Sequence, residues 1–141
     1  MQRILQIVLA ALAGSLWTVC GMVAPSLFSV LTDRRMAGQV AGYFFRLETW
    51  VVLALGAIAL TLLIRRAVAW ASRFDYVVLV VTMFTPLVSE LGVRPLMETA
   101  RASGDMSRFG LLHGASASLF VVACVGALTL VWRLSAPPRN F

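Results

Sequence analysis

An all-α fold, an integral membrane four-helix bundle in a single domain, is what this sequence predicts, and three observations predict it. Of its 141 residues 60% are hydrophobic and 13% are charged, against roughly 25% charged in an ordinary soluble domain. Mean hydropathy is +0.90. The apolar residues also gather into four runs, and a helix needs about 20 such residues to cross ~30 Å of hydrocarbon. Four spans and their short connections use nearly the whole chain, 1–141, so no length remains for a soluble enzymatic domain.

The expected helices are 4–28, 38–64, 76–91 with an amphipathic extension to about 102, and 109–132. The first opens after Arg3 and continues well past Ala11-Leu12-Ala13, which a cleaved signal peptide would not do. Ala10, Gly14, Thr18 and Gly21 repeat on it at helical spacing, the pattern that lets membrane helices approach closely. Pro25 removes a backbone donor near its end, and Thr32-Asp33-Arg34-Arg35 makes a polar turn.

The second helix carries Arg46 and Glu48 among aromatics before a charge-free run from Thr49 to Ile64, so the bilayer core is expected to begin near Trp50. Arg65-Arg66 closes it, and Trp70, Arg73 and Asp75 mark an interfacial connection. In the third helix Pro86 deprives the Thr82 carbonyl of its donor, which predicts a kink with Thr82, Thr85 and Ser89 re-satisfying the backbone. Glu90, Arg94, Glu98 and Arg101 then recur on one face as alternating charge, interrupted by Pro95. Ser103-Gly104-Asp105 is a turn signal. The last helix carries a second small-residue face, Gly110, Gly114 and Ser118, with His113 beside it, and ends at Arg133 before Pro137-Pro138. The spacings from Pro25 to Arg46 and from Pro86 to Arg108 nearly match, but without sustained identity they do not establish a duplication.

The net charge of +6 comes from arginines scattered singly and in pairs between apolar runs, not from a basic polar face of the kind that binds nucleic acid. The partner implied is the lipid bilayer, with a homo-oligomer or a membrane-protein partner left open. Cys20 and Cys124 lie inside apolar runs at different counted depths, so they read as small hydrophobes and not as a disulfide. One His with no cysteine pair at ligand spacing does not make a zinc site. Trp17, Trp50, Trp70 and Trp132 read as interfacial or packing aromatics. Metal and cofactor stay unassigned, and there is no complete catalytic motif.

Four spans put the termini and the central loop on one side, and Thr32 to Glu48 and Glu90 to Arg108 on the other. The twelve arginines divide equally between the sides. Arg46 and Arg94 sit at helix ends beside acids; discounting them leaves the excess of arginine with the termini, which the positive-inside rule then places in the cytoplasm of a bacterial inner membrane. Five of the six acidic residues share the far side with His113. Ionisable groups near a bilayer are costly, so Arg46, Glu48, Glu90, Arg94 and His113 are the candidate ligand-binding residues. Against that stand plainer readings: an interfacial anchor for Arg46 and Glu48, which point to different faces, an intrahelical pair for Glu90 and Arg94, and a hydrogen-bonded interface histidine for His113.

Gly14-Ser15-Leu16-Trp17, Val23-Ala24-Pro25-Ser26-Leu27-Phe28, Ala37-Gly38-Gln39-Val40-Ala41-Gly42 with Phe45, and Phe109 with Leu112-His113-Gly114 and Ser116 together resemble the transmembrane protein 205 family over residues 8 to 130. The resemblance implies a four-helix membrane domain, an association of eukaryotic relatives with drug resistance and secretory trafficking, and no established reaction. Family members often carry an Asn where this chain has Phe120. The function expected is a non-enzymatic small polytopic membrane protein that binds or helps to move a small solute or metal through the far-side polar cluster; the alternative is a structural or partner-binding membrane subunit. An intramembrane enzyme or haem protein fits less well, since a haem would need a second axial ligand beyond the one His.

Topology gives the first test. A reporter fused after Phe141 is expected to behave as cytoplasmic, and a periplasmic signal would reverse the orientation.

Overall fold

The computed structural model describes residues 1–65 and 67–135. Arg66 and Pro137-Pro138 therefore lie outside the described residues. Four helices, each long and apolar enough to cross a membrane, account for almost everything else: α1 (Gln2–Val30), α2 (Arg34–Ile64), α3 (Arg73–Ala102) and α4 (Met106–Ser135). They run alternately up and down and pack as a ring in which each helix touches the two beside it. The chain is thus a multi-pass membrane protein.

Helices α2, α3 and α4 start ahead of their apolar stretches because polar residues cap them. Asp33 accepts from the amides of Arg35 and Met36 at 2.8 and 3.3 Å, which starts α2 before the apolar run begins. Ser72 and Asp75 form a reciprocal capping box at the start of α3, satisfying donors that the first turn leaves free. Asp105 accepts from Arg108 N at 2.9 Å at the start of α4, after a turn in which Gly104 takes a positive φ of 76°, a conformation open to glycine at little cost.

The core is a narrow stripe from each helix. Leu5, Leu9, Leu12 and Leu16 of α1 meet Val52, Ala59 and Leu63 of α2, Leu79 and Met83 of α3, and Ala123, Ala127 and Leu130 of α4. Large apolar side chains such as Ile7, Leu111 and Trp132 face outward, as a bilayer allows. The small-residue faces expected to pack are not in this core. Ala10, Gly14, Thr18 and Gly21, and likewise Gly110, Gly114 and Ser118, are all exposed, because the leucine stripe and its counterpart on α4 win the interior. Close approach occurs elsewhere: a Cβ at Gly126 would collide with Thr82 Oγ1, and one at Gly56 would collide with the Met83 side chain.

Pro86, where a kink is expected, lies inside α-helix that continues through Val88, and α3 opens into a π turn at Ser89–Val93, just before Pro95. An equivalent π turn, Val19–Val23, precedes Pro25 in α1. The two hairpins are in fact structural repeats. Buried Leu5, Leu9, Leu12, Ala13 and Leu16 correspond at one constant offset to buried Asp75, Leu79, Thr82, Met83 and Pro86. Thr49, Val52, Gly56, Ala59 and Leu63 correspond in the same way to Phe120, Ala123, Ala127, Leu130 and Leu134. A cross-helix bond recurs with its acceptor one residue on: Tyr76 Oη donates to Leu63 O at 2.9 Å, and Gln6 Nε2 donates to Ser135 O at 3.0 Å. The echo aligns Pro25 with Pro95, not with Pro86, and the up-down ring makes it a parallel repeat about an axis along the membrane normal.

The packing predicts that Gly126→Leu and Ala127→Leu lower the melting temperature in detergent, at about 1–3 kcal/mol for overpacking, while Gly114→Leu, with nothing within 4 Å of its Cβ, is silent. Equal stability for all three would contradict this core.

Candidate functional site

Three of the five candidate residues converge. Arg46 reaches from α2 to Glu90 on α3, with Nε donating to Oε1 at 2.6 Å. Arg94, one turn further along α3, donates from Nη1 to both carboxylate oxygens of Glu90 at 3.0 and 2.8 Å. The same Nη1 also donates to the carbonyl of Gly42 on α2 at 3.1 Å, while Nε donates to Glu98 at 3.2 Å. Glu90 is thereby held by arginines from two helices.

The geometry follows from local structure. Glu90 lies in the π turn of α3, and its side chain is 11% exposed, against 21% for Arg94 and 49% for Arg46. Gly42 and Gly38 lie under the α3 arginines: a Cβ at Gly42 would stand in ordinary contact, 3.6 Å from Arg94 Nη2, and one at Gly38 3.8 Å from Arg101 Nη2. These two glycines form a shelf on α2 over which the α3 arginines lie. Sequence reasoning noted both only as part of a family pattern and missed Gly42 O as an acceptor. Helical spacing does point to it, since Gly38, Gly42 and Arg46 recur every four residues on one face.

Glu48 does not join the cluster. It is turned into the bundle, 4% exposed, with Oε1 lacking any hydrogen-bond partner among the described residues, and the Ser15 hydroxyl of α1 beside it. His113 does not converge either. It is exposed and stacks on Phe109, with ring centroids 6.1 Å apart and planes at 11°, while the Arg101 guanidinium sits 4.6 Å over the same Phe109 ring. The repeat explains this. In the second hairpin His113 stands where Gly42 stands in the first, and Ala24 stands where Arg94 stands. A methyl group cannot cover the neighbouring helix as Arg94 covers Gly42, so His113 stays open.

Other polar contacts were not foreseen. On the near side Arg133 Nε donates to Asp75 Oδ1 at 2.6 Å; the Ser72-x-x-Asp75 spacing, a helix-start signature, could have shown Asp75 to be ordered. Ser89 and Ser116 share a hydrogen bond of 2.6 Å between α3 and α4. Of the hydroxyls expected to serve the backbone near Pro86, Thr85 donates to Val81 O at 3.0 Å, whereas Thr82 Oγ1 has no partner. Cys20 and Cys124, counted to different depths, are neighbouring free thiols across α1 and α4. They come level because α4 runs on to Ser135, whose carbonyl is bonded to Gln6 of α1, so both cysteines lie at similar heights above that bond.

Among the described residues no three His, Cys, Asp or Glu side chains come together as a metal site would need. The two best-defined hollows are lined by Ala57, Ile58, Thr61 and Leu62, and by Leu63, Val68, Ala69, Ala71 and Tyr76, neither including a residue of the charged cluster. Glu90 and Arg94 instead bond each other, Arg46, Glu98 and one backbone carbonyl.

Arg94→Ala removes the bonds to Glu90, Glu98 and Gly42 O and leaves only Arg46 on Glu90. Its cost is expected between the ~0–1 kcal/mol of an exposed pair and the ~3–5 kcal/mol of a fully buried one, with Arg46→Ala at the lower limit. Thermal unfolding in detergent checks the order, and Glu90→Leu combined with Arg94→Leu should recover part of the loss. Two silent single changes would make the cluster a solvated surface.

The family model for Domain of unknown function (DUF4149) matches residues 7–105, from within α1 to the turn before α4. No curated protein and no solved structure matches the chain.

Proposed function

We propose, for a chain that belongs to the family of the domain of unknown function DUF4149, that it is a structural or partner-binding membrane subunit whose charged cluster locks α2 to α3. The observation that carries this reading is Arg94 Nη1, which at once grips Glu90 on its own helix and Gly42 O on the next. A ligand would have to displace those bonds to reach either charge. The likeness to the transmembrane protein 205 family adds no reaction to this reading. The bacterial inner membrane with cytoplasmic termini is the setting in which we place it; the ion pairing of Arg46 and Arg94 supports discounting them as loop charges.

A second reading, binding of a small anionic solute at the same face, rests on Arg46. It is half exposed and engages Glu90 through Nε, leaving a guanidinium edge toward the surroundings. The leading reading predicts that millimolar phosphate, small carboxylates, Zn²⁺ or Cu⁺ leave the melting temperature of the purified protein unchanged. A saturable rise with phosphate or a carboxylate, abolished in Arg46→Ala, would favour the second reading instead.

A further inference from the structure

Each acidic residue but one has a structural partner. Asp33 and Asp105 cap helices, Asp75 is bonded to Arg133 and Ser72, and Glu90 and Glu98 are bonded to arginines. Glu48 has neither cap nor ion pair among the described residues. It lies near the midpoint of the 31-residue α2, flanked on the buried face by Thr49 and Val52, both 0% exposed. Arg46, two residues away, faces out of the bundle toward Glu90.

An ionised carboxylate buried without a cation or full hydrogen bonding is among the most costly groups a bilayer-embedded bundle can hold, and such residues mark ion and proton sites. The groups that face Glu48 narrow the ligand. From α1 come Ser15 and Cys20, and from α4 comes Cys124. From α3 the charged groups at this end, Glu90 and Arg94, are bonded to each other. A hard metal cation would need six or more oxygens, and a soft one would need the thiolates to converge with the carboxylate, which they do not do as a metal site. One carboxyl with one free oxygen is enough for a proton.

We propose that Glu48 is a proton-binding site in the interior of the bundle towards its far end, a carboxyl group held as the neutral acid and exchanging its proton with water when the helices open locally. It stands apart from the Arg46–Glu90–Arg94 lock and does not depend on the subunit's partner.

The chemistry offers a direct test. Dicyclohexylcarbodiimide, which partitions into apolar regions, adds to a protonated carboxyl: the acid proton passes to one carbodiimide nitrogen, the carboxyl oxygen bonds to the central carbon, and an O-to-N acyl shift leaves a stable N-acylurea with no leaving group. Full-length protein in lipid vesicles, labelled and mapped by peptide mass spectrometry, should carry one such adduct on the peptide holding Glu48. Labelling should fall as pH rises, and a water-soluble carbodiimide should leave Glu48 unmodified. Infrared difference spectra of wild type minus Glu48→Gln should show a protonated-carboxyl band at neutral pH that gives way to carboxylate bands in alkali. Carboxylate bands at neutral pH, or no adduct under any condition, would overturn the proposal. Glu48→Gln is isosteric and uncharged, so an unaltered melting temperature identifies the variant as folded; should it unfold, the labelling and pH titration of the wild-type chain still decide.

Discussion

Inside a bilayer no water is available to satisfy a polar group, so every donor, acceptor and charge brought into the spans must find its partner in the chain. Most of this molecule obeys that constraint by the shortest route. Thr49, Thr61, Thr85 and Thr129 return their hydroxyls to the carbonyl one turn back at 2.8–3.0 Å. Where the side chain is longer, the partner lies on the adjacent helix, and the bond then fixes how two helices meet. Tyr76 to Leu63 O and Gln6 to Ser135 O serve at the near end, and Arg46, Glu90 and Arg94 serve towards the far end. These polar contacts supply what hydrophobic force cannot, since lipid tails solvate leucine as well as another helix does.

The repeat gives these contacts a second meaning. Both hairpins present the same buried positions, but the residues there differ in polarity. Leu5, Leu12 and Val19 of the first hairpin face Asp75, Thr82 and Ser89 as their counterparts in the second. On the other helix pair the direction reverses, with Glu48 in the first hairpin and Leu119 in the second. Two like hairpins would fold on an apolar stripe alone, so the polar substitutions make the halves unequal. Arg94 over Gly42 closes one interface, and Ala24, the short counterpart of Arg94, leaves the equivalent one open at exposed His113. The asymmetry of the charged site is therefore an asymmetry of side-chain length on a nearly symmetric backbone.

That distinction also sets what could be read from sequence. The helices were legible because length and hydropathy alone select them, and their ends were underestimated because Asp33, Ser72 and Asp105 carry helix into polar sequence. The pairing of Glu90 with Arg94 was legible from spacing within one helix. What spacing cannot supply is which face a helix turns inward when several faces are apolar. The small-residue face of α1 was read as its packing face, whereas packing of all four stripes together turns the leucine stripe of the same helix inward. The π turns compound this, since each shifts the register of everything beyond it. Pro25 and Pro95 were both visible, but their correspondence appears only when the turns before them are seen.

Arg46 and Glu48 show how far two neighbouring residues can diverge under one constraint. Two positions along a helix are separated by about 200° of rotation, so an arginine facing outward to Glu90 commits Glu48 to the interior. The rotation of α2 is itself fixed by Ala41, Val52, Ala59 and Leu63, which are all buried. Glu48 cannot be turned out without exposing that stripe, and it cannot be paired from within because the residues around it are Ser15, Cys20 and Cys124. An apolar residue there would pack at no such cost, as Leu119 stands at the equivalent place in the other hairpin. A carboxyl kept where the fold gains nothing from its charge is the feature that packing does not account for, and it is where a role beyond holding the bundle together has its physical footing.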